Sequence, residues 1–177
     1  MKKKGAIFVI SCVIAFLGSM TNSGCKNIAD NQSTPVGVLL RASGCKLFET
    51  SASGRLAKFA PGPHEDCVAY EYNGVDTLVL SHINAAFNCC PGQISTEIDI
   101  DDDRIVITEK EREQGCYCLC LRDLYYEVVK VRPGAYTIRF VEPYVKEGDP
   151  ALELSIDLST ACSGDKCVQR DYPPWAQ

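Results

Sequence analysis

Apolar and polar residues alternate with a period of two along most of this chain, as they do on strands that face core and solvent in turn. Val36 to Leu40 is apolar and β-branched. Cys67 to Tyr72 (CVAYEY) places Val68, Tyr70 and Tyr72 on one face. Asn73-Gly74 follows, a strong hairpin signal, and Val75 to Ile83 (VDTLVLSHI) is the expected return strand. In Ile94 to Ile100, Ile98 and Ile100 oppose Glu97 and Asp99. Asp101 to Asp103 then make a turn, and Arg104 to Glu109 returns. Beyond a charged turn at Glu111 to Gly115, Cys116 to Leu121 and Leu124 to Val131 read as further strands. Pro133-Gly134 turns the chain into Ala135 to Glu142, where Tyr136, Ile138 and Phe140 share a face. Ala151 to Leu158 points Leu152, Leu154, Ile156 and Leu158 one way. Leu47 to Phe59 is a mixed strand signal, and the Pro-rich tail from Asp171 is expected at an edge or in a loop. Many short strands between turn signals, with no helical period beyond the N-terminus, predict an all-β antiparallel sandwich of the immunoglobulin-like kind. One such domain is expected over residues 36–177.

The N-terminus follows different rules. Lys2, Lys3 and Lys4 precede an apolar run from Ala6 to Leu17. That run is too short for a bilayer core of about 30 Å, which needs about 20 residues, and fits the apolar region of a secretory signal. Residues 1–24 are therefore expected to be a cleaved signal peptide. Ser23-Gly24-Cys25 resembles the end of a bacterial lipobox, with Asn22 where Leu is usual, so Cys25 is the expected lipidation site. Ordinary cleavage near Met20 to Gly24, giving a soluble exported protein, is the alternative. Residues 25–35 are polar and read as a tether.

Charge narrows the partners. The chain carries 18 basic and 23 acidic groups, a balance of −5. Without the three lysines of the signal, 15 basic groups face 23 acidic ones, or −8. Such a surface excludes a nucleic-acid footprint, and a lipid chain rather than charge would hold it at an anionic membrane. Hydrophobic residues make up 46% of the chain, enough for a packed core and against bulk disorder. The expected address is the cell envelope, membrane-anchored or periplasmic. The sequence does not define a protein or glycan ligand.

Eleven cysteines add the most distinctive pattern. Cys12 leaves with the signal and Cys25 is the lipid acceptor. Export places the remaining nine where disulfides persist. Cys162 and Cys167 enclose a turn-forming Ser-Gly-Asp-Lys and form one candidate pair; Cys45 and Cys67 flank a Gly/Pro-rich stretch and form another. The other five are Cys89, Cys90, Cys116, Cys118 and Cys120. On a strand, Cys116, Cys118 and Cys120 would line one face, too divergent to pair with one another. Cross-strand bonds to Cys89 and Cys90 fit better and would leave one of the three free. Thiolate binding of Cu(I) or Zn²⁺ is the alternative, although the spacing is not that of a zinc knuckle. Buried reduced thiols are a third.

The segment from Asn88 to Val141 resembles a group of exported, Bacteroidetes-like bacterial lipoproteins with no assigned activity. The likeness rests on Cys89-Cys90, on Cys116, Cys118 and Cys120 followed by Asp123, and on Pro133-Gly134-Ala135-Tyr136. It implies the fold and the envelope address, and no function.

Catalytic and cofactor signals are weak, and no cofactor is expected. A Cys–His dyad would pair His82 with Cys89 or Cys90; a strand-end histidine bonded locally is the plainer reading. His64 lies in a loop. Asp99, Asp101 and Asp103 match the first ligand positions of an EF-hand, but Arg104 replaces its Gly and Lys110 its Glu, which leaves a solvated turn. Asp76-Thr77-Leu78 resembles an O-glycosylation triplet of some exported proteins, a match short enough to arise by chance. Phosphate-loop and metalloprotease motifs do not occur. A non-catalytic binding or structural domain is the leading expectation, with a thiol-based metal or redox protein as the alternative.

Overall fold

A computed structural model describes residues 34–46, 61–112 and 116–175. The expected signal peptide, Cys25, the tether up to residue 33 and the mixed segment Leu47 to Phe59 lie outside the described residues. Those described are all-β, with strands β1 (Val36–Ala42), β2 (Glu65–Tyr72), β3 (Thr77–Asn88), β4 (Ile94–Asp101), β5 (Arg104–Glu111), β6 (Leu119–Val129), β7 (Ala135–Val141), β8 (Glu153–Asp157) and β9 (Ser163–Gln169). They form two sheets, β1-β6-β3-β2-β9 and β4-β5-β7-β8. All pairings are antiparallel except β5 with β7.

Alternation puts the apolar faces together. Val68, Tyr70, Leu78, Leu80, Leu124, Tyr126 and Val128 of the first sheet meet Ile105, Ile107, Ile138, Phe140, Leu154 and Ile156 of the second in one core. Removal of this apolar area from water is the main favourable term in the fold. At the rim, β1 passes close to β4. A Cβ at Gly37 would stand 2.6 Å from Ile98 Cγ2, so only glycine fits without a shift.

The Asn73-Gly74 hairpin forms as expected, with a loop wider than two residues. Asn73 Oδ1 accepts the backbone N–H groups of Val75, Asp76 and Thr77. Gly74 takes the left-handed φ of 78° that the turn requires.

The central pair β3–β6 carries a bulge. Its register runs His82↔Leu124 and then Ala85↔Arg122, so two residues of β3 oppose Asp123 alone. Asn84 sits there at φ 68°, a region that asparagine tolerates better than most residues. Every polar group of Asn84 is used. Its N–H reaches Asp123 Oδ1, its Nδ2 donates to the carbonyls of Gly62 and Glu65, its Oδ1 accepts from Lys46 Nζ, and its carbonyl accepts the Trp175 indole N–H. The extra residue inverts the facing pattern. Leu78, Leu80 and His82 point into the core before it, and Ala85 and Phe87 after it, while Ala86 joins Leu121 and Trp175 in a second, smaller cluster. Asn84→Gly keeps the backbone angle and removes the side-chain bonds. It is expected to cost about 1–3 kcal/mol in urea denaturation.

Three strand expectations change. Leu124 to Val129 continues the strand expected over Cys116 to Leu121, which begins later than expected. One strand, β6, starts at Leu119 and continues through Arg122 and Asp123, because these polar residues bond to the segment after β1. Arg122 Nη1 donates to the carbonyl of Ser43, and Asp123 N–H to Ser43 Oγ. Cys116 and Cys118 precede the strand, so the three cysteines do not share a strand face. Ser163 to Lys166, expected as a turn, begin the edge strand β9 beside β2. Its edge position tolerates the exposed Asp165 and Lys166.

Candidate functional site

Six polar side chains occupy positions that the alternating pattern reserves for the core. Asp66 shares the inward parity of Val68 on β2, His82 that of Leu80 on β3, and Glu109 that of Ile107 on β5. Tyr126 lies between Leu124 and Val128 on β6. Glu142 extends the series Ile138, Phe140 just beyond β7, and Arg170 follows Val168 just beyond β9. All six are buried.

They form one network. The imidazole of His82 lies between two carboxylates, with Nδ1 2.7 Å from Glu109 Oε1 and Nε2 2.8 Å from Asp66 Oδ1. Tyr126 donates its hydroxyl to the same Glu109 oxygen at 2.5 Å. Arg170 donates from Nε and Nη2 to Asp66 Oδ2 at 3.0 and 2.8 Å, from Nη2 to Glu142 Oε1 at 3.3 Å, and from Nη1 to the carbonyl of Pro150 at 2.7 Å. The guanidinium also stands 5.6 Å from the centre of the Trp175 ring. Two carboxylate oxygens, Glu109 Oε2 and Glu142 Oε2, have no hydrogen-bond partner among the described residues.

The electrostatics follow from burial and neighbours. Burial disfavours the imidazolium of His82, but Glu109 and Asp66 outweigh it and raise its pKa well above the ordinary value. Burial also opposes the charged form of Asp66; the bond and charge of His82, with the charge of Arg170, outweigh it and lower its pKa. For Glu142 burial wins, reinforced by the negative Asp66, and its pKa is raised well above the carboxylate range. Burial first, and then Glu109, raise the Tyr126 phenol. Charges so buried are tolerated only when paired.

The cysteines build a second feature at the end of the β3–β6 pair. Among the described residues, four disulfides connect Cys45 to Cys120, Cys67 to Cys167, Cys89 to Cys118 and Cys90 to Cys116. The expected bonds from Cys89 and Cys90 to the Cys116 segment form. They do so because the antiparallel register continues past Asn88↔Leu119, with Cys89 N–H donating to the Cys118 carbonyl at 3.0 Å. Cys120 is not left free; it takes Cys45. The expected pairs Cys45–Cys67 and Cys162–Cys167 are corrected. Cys67 and Cys167 are register partners on neighbouring strands, which puts Cys67 out of reach of Cys45 and draws Cys167 away from Cys162. Cys162 is disulfide-bonded as well. The sulfurs of Cys45, Cys89 and Cys120 lie within 4.8 Å of one another, and Arg122 Nη2 is 3.5 Å from Cys45 Sγ.

The remaining candidates disperse. His82 is not a local strand-end histidine, nor a partner for Cys89 or Cys90: carboxylates occupy both ring nitrogens and both cysteines are bonded. Asp101 pairs with Arg104 in the β4–β5 turn, and Asp99, Asp101 and Asp103 are all exposed to solvent. His64 contributes its backbone carbonyl to Arg170 N–H. Sequence reasoning missed the network, although a legible signal existed: each member is the polar residue that completes an inward apolar series.

Compared with protein-family models, with curated proteins and with solved structures, the chain matches none.

Proposed function

We propose that this chain is an exported, lipid-anchored β-sandwich domain with a non-catalytic binding or structural role in the cell envelope, held to its membrane by acylation of Cys25. The observation that carries the reading is the disulfide set. Eight cysteines from distant parts of the chain pair within one domain, a set that is compatible with an oxidising compartment. The immunoglobulin-like form of the sandwich belongs to the same reading, supported by two largely antiparallel sheets facing across one core. So does the likeness to exported lipoproteins with paired and alternating cysteines. The −8 balance fits a domain that a lipid rather than its own charge keeps at the surface.

Intact mass and peptide mapping of protein from the envelope fraction test this. The expected result is loss of residues 1–24, a diacylglyceryl mass on Cys25, and labelling of the eight cysteines of the four bonds only after reduction. Full-length protein with free thiols in the cytosol overturns export. A Cys25 found in a disulfide overturns the lipid anchor and leaves export standing.

A second reading, a thiol-based metal-handling or redox protein, is favoured by the grouping of Cys45, Cys89 and Cys120 beside the Arg122 guanidinium. Release of these sulfurs by mild reduction, with the Cys67–Cys167 bond intact, supports it. Equal resistance of all four bonds counts against it.

A further inference from the structure

We propose that Asp66, His82 and Glu142 form a binding site for one divalent transition-metal ion in the interior, with Zn²⁺ as its probe. Asp66 Oδ1 and Glu142 Oε2 stand 2.8 and 3.9 Å from His82 Nε2, and one ligand atom from each residue lies within 4.8 Å of the other two. An ion roughly 2.0–2.2 Å from each of three such atoms sets them roughly 3.4 Å apart. The two distances from Nε2 would change by roughly half an ångström each, one lengthening and one shortening.

The independent sign is Glu142 Oε2. Among the described residues no group donates a hydrogen bond to it, its side chain is 3% exposed, and it stands 3.9 Å from the imidazole Nε2. The other contacts fit a supporting shell. Glu109 accepts the Nδ1–H of His82, which leaves Nε2 as the ligand nitrogen, and Tyr126 fixes Glu109 in turn. Arg170 holds the outer oxygens, Asp66 Oδ2 and Glu142 Oε1, while the inner pair, Asp66 Oδ1 and Glu142 Oε2, faces His82 Nε2; an ion would replace the Nε2–Oδ1 hydrogen bond.

Charge supports the same assignment. Three buried carboxyl groups, of Asp66, Glu109 and Glu142, face one guanidinium, and a divalent cation among them would add opposite charge where burial calls for it. Imidazole with carboxylates suits Zn²⁺ and its neighbours rather than a hard ion such as Ca²⁺. With His82 fully enclosed, the ion would enter as the chain folds, before Arg170 and Trp175 close over it.

The test uses the full chain with its disulfides intact. It is unfolded in guanidinium chloride without reductant and refolded with Zn²⁺ or with EDTA. The expected result is about one equivalent of zinc per chain after gel filtration, with a higher denaturation midpoint than the EDTA sample. Co²⁺ in its place should give visible d–d absorption. Glu142→Gln separates the alternatives, because glutamine imitates the protonated carboxyl. The proposal expects at least a tenfold loss of zinc affinity and a midpoint that no longer responds to the metal. It is overturned if wild-type protein refolded in zinc retains almost none and matches the EDTA sample. Undiminished zinc binding by a folded Glu142→Gln overturns it too. Should that variant not fold, the wild-type comparison and the cobalt spectrum still decide.

Discussion

Arg170→Met is expected to destabilise the fold by about 3–5 kcal/mol, because it leaves buried carboxylates without their guanidinium. Methionine fills much of the same volume, so the loss is one of charge and hydrogen bonds rather than of packing. Asp66 Oδ2 loses both of its donors, and Glu142 Oε1 and the Pro150 carbonyl lose theirs. Urea denaturation followed by fluorescence of Trp175, the chain's one tryptophan and fully buried, measures the effect. Circular dichroism on the same samples separates global unfolding from local change at the ring beside Arg170. A further variant sharpens the test. Asp66→Leu combined with Arg170→Met removes one charge of each sign and leaves His82 facing Glu109. The double variant is expected to be less destabilised than Arg170→Met alone, by about 1 kcal/mol or more. If Arg170→Met costs under about 1 kcal/mol, the carboxylates do not depend on the guanidinium.

Much of the fold was legible because burial on one face leaves period-two runs. The inward series of β2, β5, β7 and β8 can be read directly from Val68–Tyr70–Tyr72, Ile105–Ile107, Ile138–Phe140 and Leu154–Ile156. The reading failed where tertiary partners override the local pattern. Asp165 and Lys166 look like turn residues, yet an edge strand tolerates them, since only one of its sides meets a neighbouring strand. Arg122 and Asp123 look like a break in β6, yet Ser43, Lys46 and Asn84 satisfy them across gaps of roughly 40 to 80 residues that no local pattern reports. The parity change at Asn84 was invisible for the same reason, because a bulge is defined by the partner strand. Disulfide pairing from Cys89 and Cys90 to the Cys116 segment was legible from geometry. Cys67–Cys167 was not, since β9 had not been recognised. The buried network was legible in part. Polar residues that end or interrupt apolar series mark buried polar positions, but which of them meet depends on how the two sheets face each other.

Replacing Cys67 and Cys167 together by alanine is expected to cost about 4–5 kcal/mol. This bond closes the longest loop of the four, with 100 residues between its cysteines. In the chain-entropy account a loop of that length contributes roughly 4.7 kcal/mol, and the 26-residue separation of Cys90 and Cys116 roughly 3.5. The paired alanine variants of these two bonds should therefore differ by about 1 kcal/mol in guanidinium denaturation. Near-equal losses would place the stabilisation in the native state rather than in the unfolded chain. The bond also bears on the buried network. It staples β9 to β2, with Asp66 opposite Val168 in the register and Arg170 two residues further on. Without it, the edge strand that delivers Arg170 to Asp66 is held by backbone pairing and side-chain contacts alone. The alanine pair and Arg170→Met should then be non-additive: once β9 frays, loss of the guanidinium costs less. A double-mutant cycle measures that coupling, expected at about 0.5–3 kcal/mol for neighbours that share a strand. A coupling of zero would mean that Arg170 reaches Asp66 with or without the staple, and that the ion network by itself holds the C-terminal strand in place.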